Sequence, residues 1–278
     1  MRSHTSNDMQ RAFLTRSPNA AELSLLQKYL ACYRDGSGNH REEDGTSRAD
    51  SRQIERCFAE LLHGTTTENK MYYDFVVEFN QDGGVAVRGA SIKTKELTRL
   101  RTYPQNRDGL RAHMEVSNSS AKDWALCAER GLAEDDFRAH RRAAEFGQVI
   151  MDRQRIERQT SERAYLDAMP GNGQKRFEER DCVFISLLYS PAERGERVYL
   201  VSAFSIVLPE PASWYFRNKA LIGADADGGV LYEWYALSGS QFKYYPKLAS
   251  RLNGTELFTI PRPTTESLRA KATRLFGD

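Results

Sequence analysis

The chain has 278 residues, of which 40% are hydrophobic and 28% are charged, so it is long enough to bury a sizeable core. Its formal net charge is only +2, and overall charge therefore argues neither for nor against a nucleic-acid partner. Apolar runs stay well below the ~18 residues that a membrane-spanning helix needs, so we expect no membrane partner.

The four cysteines, Cys32, Cys57, Cys127 and Cys182, lie far apart and form no Cys-x-x-Cys pair. No signal peptide is recognisable either. We therefore expect reduced thiols and a cytoplasmic location.

Two amphipathic helices are predicted in the first quarter of the chain. Apolar residues at helical spacing indicate the first over residues 20–34, and the polar, glycine-rich residues 35–49 follow as a surface loop. Asp50, with Gln53 three residues later, forms a capping-box pattern that predicts the second helix over Ser51–His63.

Residues 72–97 have the pattern of a β-hairpin. β-branched and aromatic residues run from Tyr73 to Phe79, and a second strand is predicted from Val85 to Lys95. Between them, Asp82 and Gly83 are a typical two-residue turn. This turn would place Asp74 opposite Ser91 and Val76 opposite Gly89.

Three polar side chains should meet on one face of this hairpin. Directly opposed residues share a face and side chains alternate, so Asp74, Ser91 and Lys93 converge near one end. The other face would carry an apolar set suited to a core: Tyr73, Phe75, Val77, Ala90 and Ile92. A carboxylate can hold a divalent cation, and an ammonium can orient a nucleophilic water beside a phosphodiester. The alternative is a solvated surface with a weak cross-strand ion pair.

Asp74 and the Ser91-Ile92-Lys93 run resemble the signature of the PD-(D/E)xK nuclease superfamily, above all that of type II restriction endonucleases. The resemblance covers roughly residues 50–97. Tyr73 stands where the signature often has proline, and Ser91 stands where the family usually has a metal-binding carboxylate. Some restriction endonucleases have Ser-x-Lys there and take the missing acid from elsewhere in the chain.

Glu55 is our first candidate for the missing acid. It lies at the margin of the apolar stripe of the second helix, whereas Glu60 lies round toward the far side. The resemblance favours Glu55 too, because the family often carries an acid on the helix before the catalytic hairpin. The alternative is that Glu55 is a surface charge paired with a neighbouring arginine. Glu96 and Glu115 are further candidates for the missing acid.

Basic residues cluster after the hairpin. Lys95, Arg99 and Arg101 are candidate contacts to DNA, with a solvated arginine-rich face as the alternative. Residues 121–166 are predicted to be helical with a break at Gly131. The arginines of the later part indicate a charged surface helix or, alternatively, a dimer or DNA-flanking helix.

Two short apolar runs, 182–189 and 198–208, predict strands buried on both faces that complete a mixed sheet with the hairpin. Trp214 is expected to begin a helix or loop. Gln241 and Lys243 are further candidate contacts to DNA, and residues 264–276 are predicted to form a final amphipathic helix.

Together these patterns predict an α/β fold with a mixed central sheet flanked by helices, as in a restriction-endonuclease-like core. We expect a single nuclease domain over residues 1–278, with a catalytic core at about 50–210 and additions for DNA contact or dimerisation at about 110–170 and 211–278. The function implied by the resemblance is Mg²⁺-dependent, site-specific cleavage of double-stranded DNA by a homodimer.

In that reading Asp74, Glu55 and Ser91 are the candidate metal ligands, and Lys93 polarises the attacking water. Ser91 is either a weak oxygen ligand or a hydrogen-bond partner. Two other functions stay open: a structure-selective repair or junction nuclease of the same superfamily, and a DNA-binding protein without catalysis.

Overall fold

The computed structural model describes residues 12–36, 39–42, 46–67, 71–81, 84–168, 175–263 and 267–277. Its helices in these ranges are α1 (Ala20–Cys32), α2 (Ser51–Leu62), α3 (Ser120–Glu129), α4 (Glu134–Arg138), α5 (Ala143–Asp167) and α6 (Leu268–Phe276). The first strands are β1 (His40–Arg41), β2 (Ser47–Arg48), β3 (Thr65–Thr66), β4 (Phe75–Gln81), β5 (Gly84–Glu96), β6 (Met114–Ser117) and β7 (Lys175–Phe177). The later strands are β8 (Val183–Tyr189), β9 (Tyr199–Ser205), β10 (Ser213–Arg217), β11 (Ala220–Ala224), β12 (Val230–Tyr235), β13 (Gln241–Tyr244) and β14 (Asn253–Gly254).

Across the described residues, a seven-stranded mixed sheet, the central sheet, runs in the order β14-β9-β8-β5-β4-β3, with β7 also paired to β5. β5 pairs in parallel with β7 and β8, and the other pairs are antiparallel. One face of this sheet packs on α1 and α2, and the other packs on α3, α4, α5 and the remaining strands. The predicted mixed α/β architecture with flanking helices is therefore confirmed.

Helix α2 forms as its sequence predicts. The Asp50 carboxylate accepts a hydrogen bond from the Gln53 backbone N–H at 2.8 Å, and the Gln53 side chain accepts one from the Asp50 N–H at 2.9 Å. This capping box satisfies backbone donors that have no partner within the helix. His63, at a left-handed φ of 52°, ends the helix.

The β4–β5 hairpin has the predicted register. Phe75 pairs with Ala90 and Val76 pairs with Gly89. The predicted turn residues, Asp82 and Gly83, lie outside the described residues.

The prediction for Tyr73 was wrong, because its side chain lies on the opposite side of the sheet from Phe75. The Tyr73 ring packs against Gly89, where an added Cβ would come within 2.3 Å of it, and it stacks on Phe177 at 5.6 Å. Tyr73 precedes β4, so strand alternation does not constrain it, and the missing side chain at Gly89 gives its ring a place.

Strands β8 and β9 are buried on both faces, as their continuous apolar runs predict. The helical segments α3, α4 and α5, with a break near Gly131, also confirm the prediction for residues 121–166. The expected C-terminal helix is present as α6.

A second sheet was not predicted. Within the described part of the chain, it has five antiparallel strands in the order β10-β11-β12-β13-β6. The expectation of a helix or loop at Trp214 was wrong, because this residue lies in β10. Its indole stacks on Tyr232 at 5.9 Å and covers Gly147 of α5, so a distant contact selects the strand.

The interpretation of α5 as a charged surface helix was wrong for two of its arginines. Arg153 and Arg158 are each only 4% exposed. Arg153 forms an ion pair with Asp123 of α3, whose carboxylate also accepts a hydrogen bond from Trp234 at 3.2 Å. Buried charges of this kind need partners, and here the partners join the helices to the second sheet.

The four cysteines are free thiols, and only Cys32 is exposed. Among the described helices, none combines the length and apolar character that crossing a bilayer requires.

Candidate active site at the end of the central hairpin

Asp74 lies where the β4–β5 ladder ends. Its backbone N–H donates to the Ala90 carbonyl at 2.9 Å, so the pairing extends one residue beyond β4. Its carboxylate oxygen Oδ2 accepts from the Ile92 N–H at 2.5 Å and from the Ser91 hydroxyl at 3.3 Å. The Asp74 side chain thereby satisfies the Ile92 backbone N–H, which has no strand partner beyond the end of the ladder.

Both of these hydrogen bonds fall on Oδ2. Within the described residues no hydrogen bond reaches Oδ1, so this oxygen can take another ligand. Ser91 is 2% exposed and donates to Asp74, so it acts as a hydrogen-bond partner that orients the carboxylate. Two roles were expected for Ser91, metal ligand and hydrogen-bond partner, and the observed contact corresponds to the second.

Glu55 and Lys93 both interact electrostatically with the Asp74 carboxylate. Burial, and after it the nearby Asp74 carboxylate, raise the pKa of Glu55 to about 7, while Lys93 opposes the shift. Burial likewise raises the pKa of Asp74, again against the effect of Lys93. Two carboxylates and one ammonium therefore share a partly dehydrated site in which the negative charges repel each other.

A polar cavity of about 520 Å³ opens beside these groups. Its walls come from the first turns of α2 and from the segment that joins β3 to β4, and they include Arg52, Glu55, Arg56, Thr67, Tyr73 and Asp74. The cavity brings solvent and any bound ligand to both carboxylates.

The other candidate acids lie elsewhere. Glu60 is exposed on the far side of α2, as expected. Glu96 forms an ion pair with Arg197 at 2.7 Å. Glu115 lies on β6 of the second sheet, opposite Lys243. Of the four acids considered, Glu55 is the one that interacts with Asp74.

The donor set fits a hard divalent cation. Mg²⁺ is usually held by one or two carboxylates, with water and substrate phosphate completing its shell, and a cation would relieve the repulsion between Asp74 and Glu55. In the described ranges, no group of three or more His, Cys, Asp and Glu side chains is placed to hold a metal ion. Two carboxylates beside an open cavity suit a cation whose coordination shell is completed in part by the substrate phosphate.

The predicted contacts to DNA fall into two groups. Lys95 and Lys243 meet near His113 at the seam between the two sheets, where burial and, after it, both lysines lower the pKa of His113 to about 4. Gln241 lies two residues before Lys243 on the same strand. Arg99 is exposed after β5, and Arg101 is ion-paired with Glu193 at 3.1 Å.

Three further residues of the site were not predicted from sequence: Arg52, Arg56 and Thr67. The two arginines frame Glu55 on the outer side of α2, at positions three residues before and one residue after it. Their helical spacing was visible in the sequence, but the position of Thr67 depends on the path between β3 and β4. In the described part of the chain, neither arginine forms an ion pair with Glu55, so the surface-pair alternative is not observed.

Comparisons with known proteins add no relative: no family model, no curated protein and no solved structure matches this chain.

Proposed function

We propose that this chain is a Mg²⁺-dependent endonuclease that hydrolyses phosphodiester bonds in double-stranded DNA, in the manner of a type II restriction enzyme. The observation that carries the proposal is the meeting of Asp74, Glu55 and Lys93 at one end of the hairpin, beside an open polar cavity. The resemblance of Asp74 and Ser91-Ile92-Lys93 to the nuclease signature supports the same chemistry.

Each residue has a distinct role in this mechanism. A bound Mg²⁺ would stabilise the negative charge that develops on the phosphate. Asp74 and Glu55 would hold it, and the Ile92 N–H and the Ser91 hydroxyl keep the Asp74 carboxylate in one orientation. The Lys93 ammonium orients the attacking water and offsets charge as the water loses its proton.

The substrate and the assembly follow from this chemistry. Cleavage of both strands at a symmetric sequence requires two sites related by a two-fold axis, so we propose a homodimer. Lys95, Lys243, Gln241 and Arg99 would contact the DNA beside the scissile phosphate, where positive charge releases counterions.

The test is a digest of a large, unmethylated DNA of mixed sequence, with purified protein in Mg²⁺ or in EDTA. We expect discrete fragments in Mg²⁺ only. Lys93→Ala should slow cleavage by at least about 10²-fold, because a charged group at the reacting centre is lost. The matched control is Lys28→Ala, on the exposed side of α1, which should cut at the original rate.

Three results would contradict the proposal: no fragments in Mg²⁺, fragments that persist in EDTA, or full activity in Lys93→Ala. Cleavage restricted to branched or flapped DNA would instead support the structure-selective alternative. The alternative of a DNA-binding protein without catalysis predicts a different result. Such a protein would bind DNA without metal, bind it equally well as Asp74→Asn, and cleave nothing.

A further inference from the structure

A second cavity, of about 280 Å³, is lined by residues that take no part in the candidate active site. We call it the arginine pocket. It is bounded by the end of α1, by β2 and by the connection between β8 and β9. Its charged lining residues are Arg34, Glu42, Arg48, Arg194 and Arg197. Four guanidinium groups and one carboxylate leave an excess of positive charge in a confined space.

Glu42 and Arg197 build the wall of this pocket. The Glu42 carboxylate accepts from Arg48 Nε at 3.0 Å and from an Arg197 terminal nitrogen at 2.8 Å. Burial alone would raise the pKa of Glu42, but its hydrogen bonds to Arg197 and Arg48 outweigh this effect and hold the pKa below its usual range. Arg197 also donates to Glu96 and to the Ser190 carbonyl, both at 2.7 Å. Arg197 is thus a positioning residue whose donors are used within the protein.

Arg48, Arg34 and Arg194 keep donors for a ligand. Arg48 bonds Glu42 through Nε, and its guanidinium lies 4.4 Å from the centre of the Tyr189 ring, so its terminal nitrogens stay available at the edge. Arg34 donates from one terminal nitrogen to the Ile260 carbonyl at 2.8 Å. Arg194 is exposed at the rim. Considering the described residues only, no carboxylate pairs with Arg34 or Arg194.

Three guanidinium groups of the lining, those of Arg34, Arg48 and Arg197, converge on the Tyr199 hydroxyl. Burial raises the pKa of the Tyr199 phenol, and Arg34, Arg197 and Arg48 each act in the opposite direction, so all three lie near this hydroxyl. Tyr199 is 5% exposed and stacks on Phe258 at 5.8 Å, which makes the floor of the pocket rigid. The donors are therefore held in place before any ligand arrives.

We propose that the arginine pocket binds a phosphate group, with Arg34, Arg48 and Arg194 as its direct contacts. Planar guanidinium forks match the oxygens of a phosphate and form charge-assisted hydrogen bonds with them. Four arginines against Glu42 and Glu96 leave two net positive charges, more than a single carboxylate ligand would neutralise. The volume lies near the ~300 Å³ at which pockets for small ligands begin, so a phosphate with a small attached group is accommodated.

The phosphate has two possible sources, a free mononucleotide or the backbone of DNA. Glu96, which accepts a hydrogen bond from Arg197, follows Lys93 by three residues on β5, so roughly 10 Å of strand separates these two residues. The two sites share no side chain. Phosphate binding here does not depend on the proposed nuclease activity, and each can fail without the other.

The experiment is a calorimetric titration of the full chain in EDTA. The ligands, titrated separately, are inorganic phosphate, adenosine monophosphate and a short DNA duplex. We expect saturable binding of phosphate. Arg48→Gln and Arg34→Gln should each weaken it about tenfold or more, because each removes a charged hydrogen-bond donor. Arg194→Gln tests the same site at an exposed position where folding is not at risk. The matched control is Arg180→Gln, an exposed arginine beyond the opposite end of β8.

Lys93→Ala should bind phosphate with unchanged affinity, which separates this site from the proposed catalytic one. If the duplex displaces adenosine monophosphate from the parent, and Arg48→Gln weakens binding of the duplex as well, the phosphate comes from DNA. If the mononucleotide binds and the duplex does not compete, it comes from a free ligand. The proposal is overturned if phosphate does not bind saturably, or if all three pocket variants bind it as well as Arg180→Gln does.

Discussion

Glu55 and Glu42 are two partly buried glutamates with opposite surroundings. Glu55 lies beside another carboxylate, and its pKa is raised to about 7. Glu42 lies between two guanidinium groups, and its pKa is lowered. The candidate active site therefore has too little positive charge, and the arginine pocket has too much. In each case the imbalance indicates the sign of the ligand that would relieve it.

The largest expected effect comes from Asp74, a carboxyl whose pKa is raised by burial. Asp74→Asn should lower Mg²⁺-dependent cleavage by at least about 10³-fold, because a cation-binding charge is lost at the reacting centre. The amide oxygen can still accept from the Ile92 N–H, so thermal melting in EDTA should change little. Asp108→Asn, at an exposed turn, is the control for cleavage rate. Cleavage by Asp74→Asn at the original rate would contradict the proposal that the candidate active site binds a cation.

Glu42→Gln should destabilise the protein by about 1–2 kcal/mol at pH 7, because it removes a carboxylate that accepts two charged hydrogen bonds. A lowered folded-state pKa means that this stabilisation is present above the unfolded value of about 4.5 and is lost as the pH falls through the folded value. Urea unfolding of the variant and the parent between pH 3 and pH 8 measures it. The two curves should converge at low pH, and a constant difference would contradict this origin.

Glu55→Gln should change stability with the opposite sign. The folded-state pKa of about 7 lies above the unfolded value, so charging Glu55 destabilises the fold progressively from about pH 4.5 to pH 7. The variant should be more stable than the parent by about 1 kcal/mol at pH 8 in EDTA. The carboxyl is half-exposed, so solvent screening keeps this gain below what the full pKa shift would give.

The same unfolding series sharpens this prediction through two controls. Glu60→Gln, on the exposed side of the same helix, should show no such pH-dependent gain. Added Mg²⁺ should stabilise the parent at pH 8 and progressively less below pH 7, because protonation of Glu55 competes with the cation. Equal stabilisation by Mg²⁺ at pH 5 and pH 8 would exclude Glu55 as a ligand.

The smallest effect is expected at the seam between the two sheets. Lys95→Ala and Lys243→Ala should each weaken duplex binding about threefold and reduce its dependence on salt, since each removes one backbone contact. Filter binding of the duplex in Ca²⁺ over a range of salt concentrations measures both quantities. Affinity that is unchanged at every salt concentration would place the DNA away from this seam.

The hairpin is where prediction from sequence went furthest. Side-chain alternation and a two-residue turn were sufficient to place Asp74 beside Ser91, because strand register is a local property once the turn length is known. The amphipathic stripe of α2 placed Glu55 at its margin for a similar reason. Tyr73 escaped prediction because it lies one residue outside the regular ladder.

Distant contacts decided the remainder. Trp214 lies in a strand because its ring packs against Tyr232 and Gly147, partners far away in the chain. Arg153 is buried because Asp123 on another helix neutralises it. No local pattern contains such a pairing, so helix periodicity alone assigned Arg153 to the surface.

The sequence by itself determined the helices, the hairpin register and the residue types at its end, because these depend on neighbours a few positions away along one helix or across one turn. Only the tertiary structure decided which acid lies next to Asp74 and that Arg34, Arg48 and Arg197 share one cavity. Coulomb interactions act through space over several ångströms, and chain order does not encode the separation of charges on different elements.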